Sequence, residues 1–184
     1  MINTRVSRRA LAQATGAVCI MATTLRQAPA QNGLTESALS LPRPQEAPLL
    51  TISGKIQNAN ARDTALFDRP MLQQLGSATI TTNTPWYDGP VRFDGVPMTR
   101  LMQAVGASGE MVTALAVNDY STDIPIGDFA RFGVLLAMLR NGLPMPVKDK
   151  GPLFVIYPYD SSPELRARLY YSRSAWSVVQ LIVR

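Results

Sequence analysis

After residue 48 the apolar residues come in short runs separated by Gly, Pro and Asn, and this spacing limits what the chain can fold into. Most runs have the length of a β-strand and are rich in β-branched or aromatic residues. The runs that predict strands are 49–56, 78–82, 91–93, 111–117, 121–126, 153–157 and 176–183. Segment 132–139 fits a helix or a strand, and the hairpin dipeptide Asn141-Gly142 after it favours a strand.

Helices are predicted to be few and short. Asp68 and Pro70 open one over 68–75, which Gly76 ends. A second follows Pro97, with apolar residues at helical spacing up to Val105. Segment 163–170 predicts a third. Strands therefore dominate and the helices are scattered, which indicates an α+β fold rather than a doubly wound one.

The first thirty residues resemble an export signal. Three arginines, Arg5, Arg8 and Arg9, precede an uncharged, moderately apolar stretch over 10–25, and Ala28-Pro29-Ala30 offers small residues for cleavage. The paired arginines also fit a twin-arginine signal, and ordinary export signals contain such pairs too. The sequence thus predicts a signal over 1–30, a flexible Pro-containing lead over 31–48, one domain over 49–184, and a periplasmic location.

Charge and composition exclude several classes of function. The net charge is +5, but four of the 18 basic residues lie in the first thirty, which leaves 14 against 13 acidic residues. Nucleic acid is therefore not an expected partner. The chain has no histidine, and its one cysteine, Cys19, lies in the predicted signal. Zinc, copper and iron–sulfur sites, and His-dependent nucleophilic catalysis, are not expected.

Aromatic residues concentrate in three polar segments that adjoin predicted strands. Segments 81–88, 118–123 and 157–176 contain both tryptophans and all six tyrosines of the chain. Loops at strand ends commonly build binding sites. Flat aromatic faces with a few polar groups suit a planar heterocycle, although core packing alone would also explain any one of these rings.

Four stretches in order resemble a known family. They are "TPWYDGPVRFDGVPMTRLMQAVGA", "ALAVNDYSTDIPIGDF", "GVLLAMLRNGLPMPVKDKGPLFVIYPYD" and "SAWSVVQLIV". Together they resemble the molybdopterin-binding domain of the sulfite-oxidase fold, and the resemblance covers 49–183. It implies a strand-rich α+β fold with short scattered helices and a slot for a pterin cofactor.

The sequence departs from that family at the metal ligand. In catalytic members a cysteine thiolate binds molybdenum a few residues before the position of Trp86, and Thr82 is the best match for that cysteine. A hydroxyl is a poor substitute for a soft thiolate. The histidine and much of the basic cluster that clamp the cofactor phosphate are absent as well. In this the chain resembles a cysteine-free branch of periplasmic proteins that bind reduced pterins and relay their availability to inner-membrane cyclic-di-GMP signalling proteins.

The resemblance and the aromatic clustering together predict a pterin site. Asp119 is the candidate acceptor for the N–H/NH₂ edge, Trp86 or Trp176 stacks the ring, and Arg173 meets the pterin side chain or a phosphate. The alternatives are a turn-capping role for Asp119 and a surface ion pair for Arg173. The candidate pterin-binding residues are Thr82, Trp86, Asn118, Asp119, Tyr120, Tyr157, Arg173 and Trp176.

Three functions are compatible with the sequence. The favoured one is an exported pterin sensor without a metal, in which pterin orders segment 157–174 and an inner-membrane signalling protein reads the ordered surface. The second is a molybdopterin-dependent oxidoreductase, or a subunit of one. The third is a periplasmic scaffold with an empty slot. Bound pterin would distinguish the sensor from the scaffold, and the metal content would distinguish the oxidoreductase from both.

Overall fold

A computed structural model describes residues 41–184 of the chain. Within them the strands and α-helices follow one another as β1 Leu50–Gly54, β2 Ala65–Phe67, α1 Arg69–Gln74, β3 Ala78–Thr84, β4 Tyr87–Pro97, α2 Met98–Ala104, β5 Met111–Ala116, β6 Ser121–Pro125, α3 Ile126–Phe132, β7 Leu135–Arg140, β8 Leu143–Pro144, β9 Phe154–Ile156, α4 Arg168–Arg173 and β10 Val178–Val183. Short 3-10 helices cover Val147–Asp149, Tyr159–Ser161 and Pro163–Arg166. The export signal predicted over 1–30 and the lead up to residue 40 lie outside the described residues.

The strands form two sheets. The first has the order β2-β1-β10-β5-β6, in which β1 and β10 are parallel and the other pairs are antiparallel. The second has the order β3-β4-β7-β8, and β9 pairs with β7. All of its pairs are antiparallel. The parallel pair joins the start of the domain to its end, so both are fixed in one sheet.

Two hydrophobic cores lie on opposite faces of β7 and β9. Leu136, Met138 and Val155 belong to the larger core, together with residues of the first sheet and of the helices. Leu135 and Phe154, which alternate with them, belong to a smaller core. Strands buried on both faces are apolar throughout instead of alternating, which is why the 132–139 pattern did not distinguish helix from strand.

Most of the predicted elements are present, and the α+β class is confirmed. The strand favoured for 132–139 is β7, whereas β2, β8 and α3 were missed. Of the segment predicted as extended over 121–126, β6 includes all but the last residue and ends at Pro125. Helix α3 begins at the next residue and ends at Gly133, which is left-handed. The helix predicted over 163–170 is a 3-10 turn and then α4, because Ala167 between them is extended at φ −80° and ψ 150°.

Residues 41–48, the described part of the predicted lead, are tied to the domain by a buried carboxylate. Asp68 caps α1 by accepting the Met71 N–H at 2.9 Å, and its other oxygen accepts the backbone N–H groups of Gln45 and Glu46 at 2.6 and 3.0 Å. The hydrogen bond from the Glu46 N–H has the largest effect on the pKa of Asp68, and that from the Met71 N–H the next largest. Together they hold this pKa below its ordinary value, although burial acts in the opposite direction. Among residues 41–184, no helix is long and apolar enough to cross a bilayer.

Candidate functional site

Trp86 lies at the centre of an aromatic network. It occupies the turn between β3 and β4, so the polar segment predicted around it is a hairpin end, with β3 continuing to Thr84. Its ring centroid lies 5.2 Å from that of Phe154, 5.8 Å from Trp176 and 6.1 Å from Tyr171, in edge-to-face contacts. Such pairs add stability beyond the burial of area, so they hold the Trp86 ring against both hydrophobic cores.

The eight aromatic residues singled out in the sequence divide into two layers. Tyr157, Tyr159 and Tyr170 are buried. The other five are exposed or half-buried, and we call them the aromatic face: Trp86, Tyr87, Tyr120, Tyr171 and Trp176. Buried rings support the face from below, since Tyr159 packs on Tyr171 at 5.0 Å and Phe154 packs on Trp176 at 6.1 Å.

Tyr120 and Trp176 present parallel rings on this face. Their centroids are 6.3 Å apart with an interplanar angle of 4°. The Tyr120 hydroxyl donates a hydrogen bond of 2.7 Å to the Ser172 carbonyl at the end of α4, and Trp176 forms an isolated β-bridge with Phe154. The turn between β5 and β6 is thereby joined to α4 beside the half-buried Trp176 indole.

Lys150 adds a cation to the aromatic face. Its Nζ lies 5.0 Å from the ring centroid of Tyr87 and 5.7 Å from that of Trp176. Within the described part of the chain, no carboxylate oxygen comes within 4.0 Å of this ammonium. The sequence did not single out Lys150, because the spacing of residues gives no signal for where the ammonium of a residue with φ +64° will lie.

An ion pair next to Lys150 fixes the ring of Tyr87. Arg140 donates two hydrogen bonds to the Asp149 carboxylate at 2.9 and 2.5 Å, and the Tyr87 hydroxyl donates a third at 3.1 Å. The Arg140 guanidinium also lies 4.3 Å from the Tyr87 ring centroid. Donation from Arg140 lowers the pKa of Asp149, so this carboxylate stays charged and holds the cluster in place.

Thr82, which the sequence resemblance matches to the metal-binding cysteine, is a buried structural contact. It is 1% exposed, and its hydroxyl accepts the Asp160 N–H at 3.1 Å and donates to the Asn83 carbonyl at 3.3 Å. The Asp160 carboxylate in turn accepts from the backbone N–H and side-chain amide of Asn83 at 2.6 and 3.0 Å. These bonds tie the β3–β4 hairpin to the 3-10 turn at Tyr159–Ser161.

The donor atoms at this position do not fit a thiolate-bound molybdenum. Thr82 offers a hard hydroxyl oxygen that is already engaged by two backbone groups. Residues 41–184 contain neither histidine nor cysteine, and they bring together no group of three or more acidic residues suited to a metal ion. The absence of a metal from the protein itself stays a prediction.

Asn118 and Asp119 lie at the exposed turn between β5 and β6, next to Tyr120. Asp119 is left-handed at φ +62°, and its N–H donates to the Ala116 carbonyl at 3.2 Å. Aspartate tolerates this conformation well, which is consistent with a role for Asp119 in the turn. Its carboxylate makes no hydrogen bond or ion pair with any described residue, so it is also open to a ligand.

Tyr157 and Arg173 meet at a different carboxylate, which the sequence did not single out. Both the Tyr157 hydroxyl and the Arg173 guanidinium donate to one oxygen of Asp128, on α3, at 2.8 Å. Burial, and then the bond to Asp128, raise the pKa of Tyr157 well above its usual range. Tyr157 is fully buried, and Arg173 is committed to a mostly buried pair instead of the surface pair considered from the sequence.

The structure therefore separates the candidate residues by location. Trp86, Tyr120 and Trp176 share the aromatic face, and Asn118 and Asp119 lie at the turn beside it. Thr82 and Tyr157 are buried, with their hydroxyls bonded to other parts of the chain. Which of these residues contact a ligand stays a prediction.

Comparison with known proteins gives one family. No curated protein matches the chain. Residues 51–160 of the 184 match the oxidoreductase molybdopterin binding domain. The match begins in β1 and ends at Asp160, so it includes the Trp86 hairpin, the β5–β6 turn and Lys150. The chain has two β-sheets and short helices, as in the sulfite-oxidase fold, and it belongs to the oxidoreductase molybdopterin binding domain family.

Proposed function

We propose that this protein is an exported module that binds a pterin on the aromatic face and reports its presence to a membrane partner. The observation that carries the proposal is the aromatic face itself, with an unpaired carboxylate and an unpaired ammonium nearby among the described residues. Because the family binds molybdopterin, a pterin is the class of ligand expected there.

Each part of a pterin has a chemical match at this face. The flat bicyclic ring stacks on the Trp176 or Trp86 indole. The N–H/NH₂ edge suits the Asp119 carboxylate, which forms two charge-assisted hydrogen bonds with such an edge. An anionic side chain or phosphate suits Lys150 better than Arg173, because Arg173 would first have to leave Asp128.

Calorimetry with a reduced and an oxidised pterin tests this assignment. Trp176→Ala is expected to weaken binding by about 1–3 kcal/mol through lost stacking. Asp119→Asn keeps the shape but loses a charged acceptor, and is expected to cost about 1.5–3 kcal/mol of binding. Asp63→Asn, at another exposed carboxylate, is the matched control and is expected to bind like wild type.

Two results would reject the pterin site. One is a folded wild-type protein that binds neither pterin. The other is wild-type affinity in both Trp176→Ala and Asp119→Asn while both variants remain folded, which would leave pterin binding at some other place.

A molybdopterin-dependent oxidoreductase, or a subunit of one, is the second candidate. The oxidoreductase family to which the chain belongs favours it. The hydroxyl of Thr82 counts against molybdenum held at that position, so we expect less than about one-tenth of a molar equivalent of molybdenum after native export. Stoichiometric molybdenum by plasma mass spectrometry would favour this candidate over the first.

Export is the next part of the proposal. The support is the arginine-rich start, the uncharged apolar stretch and the Ala28-Pro29-Ala30 site in the sequence. We expect the mature protein to begin at or near Gln31, in the periplasm. N-terminal sequencing of purified protein checks this, and a start at Ile2 or Asn3 would contradict it.

The relay to a partner is the last part. We infer an inner-membrane cyclic-di-GMP signalling protein as the partner, from the resemblance to the cysteine-free branch. A route from ligand to surface is available, because Tyr120 on the aromatic face is bonded to Ser172 on α4. Coupling of about 1–3 kcal/mol would change partner affinity 5- to 150-fold. Pull-down from membranes with and without saturating pterin tests it, and equal recovery in both would indicate a pterin carrier.

A further inference from the structure

A separate cavity of about 190 Å³ lies at the other end of the β3–β4 hairpin, beside the end of α1. Three apolar residues line it, Val96, Met138 and Leu139, and so do the polar residues Gln73, Ser77 and Asp94. None of the residues that line the cavity belongs to the aromatic face. It is therefore not part of the pterin site.

Asp94 has one engaged carboxylate oxygen and one unengaged. Its Oδ1 accepts the Thr79 hydroxyl at 2.6 Å and two N–H groups of Arg92 at 2.8 and 3.0 Å. Its Oδ2 accepts no hydrogen bond from residues 41–184, although the side chain is only 10% exposed. Every fully buried side-chain oxygen in the described structure has a hydrogen-bond partner. Because Oδ2 has none, it is not fully buried and some of its surface is accessible to solvent.

A β-bulge forms the apolar side of the cavity. The register between β4 and β7 shifts at Asp94 and Gly95, and Met138 has no register partner in β4, β8 or β9. Bulges often occur where a strand has to re-aim a side chain beside a site. Here the bulge places the buried Met138 and the accessible carboxylate of Asp94 around one hollow.

We propose that this cavity is a second ligand site, which takes a small neutral molecule with an N–H donor on an apolar ring. Donation to Asp94 Oδ2 would complete the hydrogen bonding of the carboxylate, and the ring would cover Val96 and Met138. A neutral ligand is favoured over a cation because Arg92 already balances the charge of Asp94. The volume is below the roughly 300 Å³ of sites for drug-sized ligands, which limits the ligand to a few rings at most.

Indole and benzofuran are matched probes, since benzofuran has the same shape with an oxygen in place of the N–H donor. Titration of the uniformly ¹⁵N-labelled full protein is expected to shift the backbone amides of Gly76, Ser77, Gly95 and Met138. A charge-assisted bond predicts that indole binds about tenfold more tightly than benzofuran. Asp94→Asn turns the free acceptor into a donor and is expected to abolish this difference.

Gln73→Trp provides a test that leaves Asp94 unchanged. Gln73 is exposed on α1, so a tryptophan there is expected to fill the cavity without disturbing the sheet, and to prevent binding of both probes. Three outcomes overturn the proposal: no shift at the four amides up to saturation, shifts confined to the tryptophan signals of the aromatic face, or equal binding of indole and benzofuran by the wild type.

Discussion

Asp128 is predicted to be one of the most costly single truncations in the domain. Its Oδ2 accepts hydrogen bonds from both the Tyr157 hydroxyl and the Arg173 guanidinium at 2.8 Å. The side chains of Asp128 and Arg173 are only 11% and 18% exposed, and Tyr157 is fully buried. Asp128→Ala therefore leaves a guanidinium and a phenol hydroxyl without their partner, in a place that little water reaches.

The size of the effect follows from these burials. Removing one member of a buried ion pair costs about 3–5 kcal/mol, because the remaining charge stays desolvated. The Tyr157 hydroxyl that loses its acceptor adds about 1–3 kcal/mol, whereas the partial exposure of Asp128 and Arg173 reduces the cost of breaking the ion pair. We therefore expect Asp128→Ala to lower the free energy of unfolding by about 3–5 kcal/mol in total. Tyr157→Phe removes one bond and no charge, and is expected to cost about 1 kcal/mol.

Urea unfolding followed by tryptophan fluorescence measures this directly, since both tryptophans lie in the aromatic face. A double-mutant cycle with Arg173→Ala isolates the ion pair, and a coupling energy of about 1–3 kcal/mol is expected. A loss below about 1 kcal/mol for Asp128→Ala, or a coupling near zero, would refute the reasoning. Arg173 would then be available to a ligand, as the sequence first suggested.

Three further predictions concern single contacts. Thr82→Val removes the acceptor of the Asp160 N–H and should cost about 1–3 kcal/mol of stability in urea, whereas Thr82→Ser should stay near wild type. The pKa of Asp68 is below its ordinary 3.8, so its stabilising contribution is present above that pH and is lost as the pH falls further. Asp68→Asn should therefore flatten the fall of Tm below about pH 4, and an unchanged profile would contradict this. In Gly95→Ala the new Cβ would lie 2.1 Å from a backbone oxygen of β7, which should cost at least about 1–3 kcal/mol in thermal unfolding. Gly127→Ala, which meets no atom within 4 Å, is its control.

Much of the fold was predictable because strand-forming residues and turn residues agree along the chain. The elements missed are those in which local signals are brief or absent. β2 and β8 have three and two residues, too few for any periodicity. α3 has seven residues and follows β6 without a loop, so its first residue was counted in the strand, and only Gly133 at its end marked it as a helix.

The site was predictable in composition but not in detail. The sequence indicated that the aromatic residues cluster, and the structure joins Trp86, Tyr120 and Trp176 through ring contacts. It did not indicate which side chains are already engaged and which are free, because the partners of Asp128 and the position of Lys150 depend on tertiary packing. Arg173 was assigned to the ligand for this reason, since the carboxylate that pairs with it is 45 residues away along the chain.

The burial of β7 on both faces has a consequence for how the molecule opens. Alternate residues of this strand belong to different cores, so water cannot enter one core by displacing β7 without disrupting the other. The two sheets should consequently lose structure together, in one cooperative unit. Amide protons of β7 are therefore expected to exchange with solvent only through global unfolding, whereas those at the tip of the Trp86 hairpin exchange through smaller local openings.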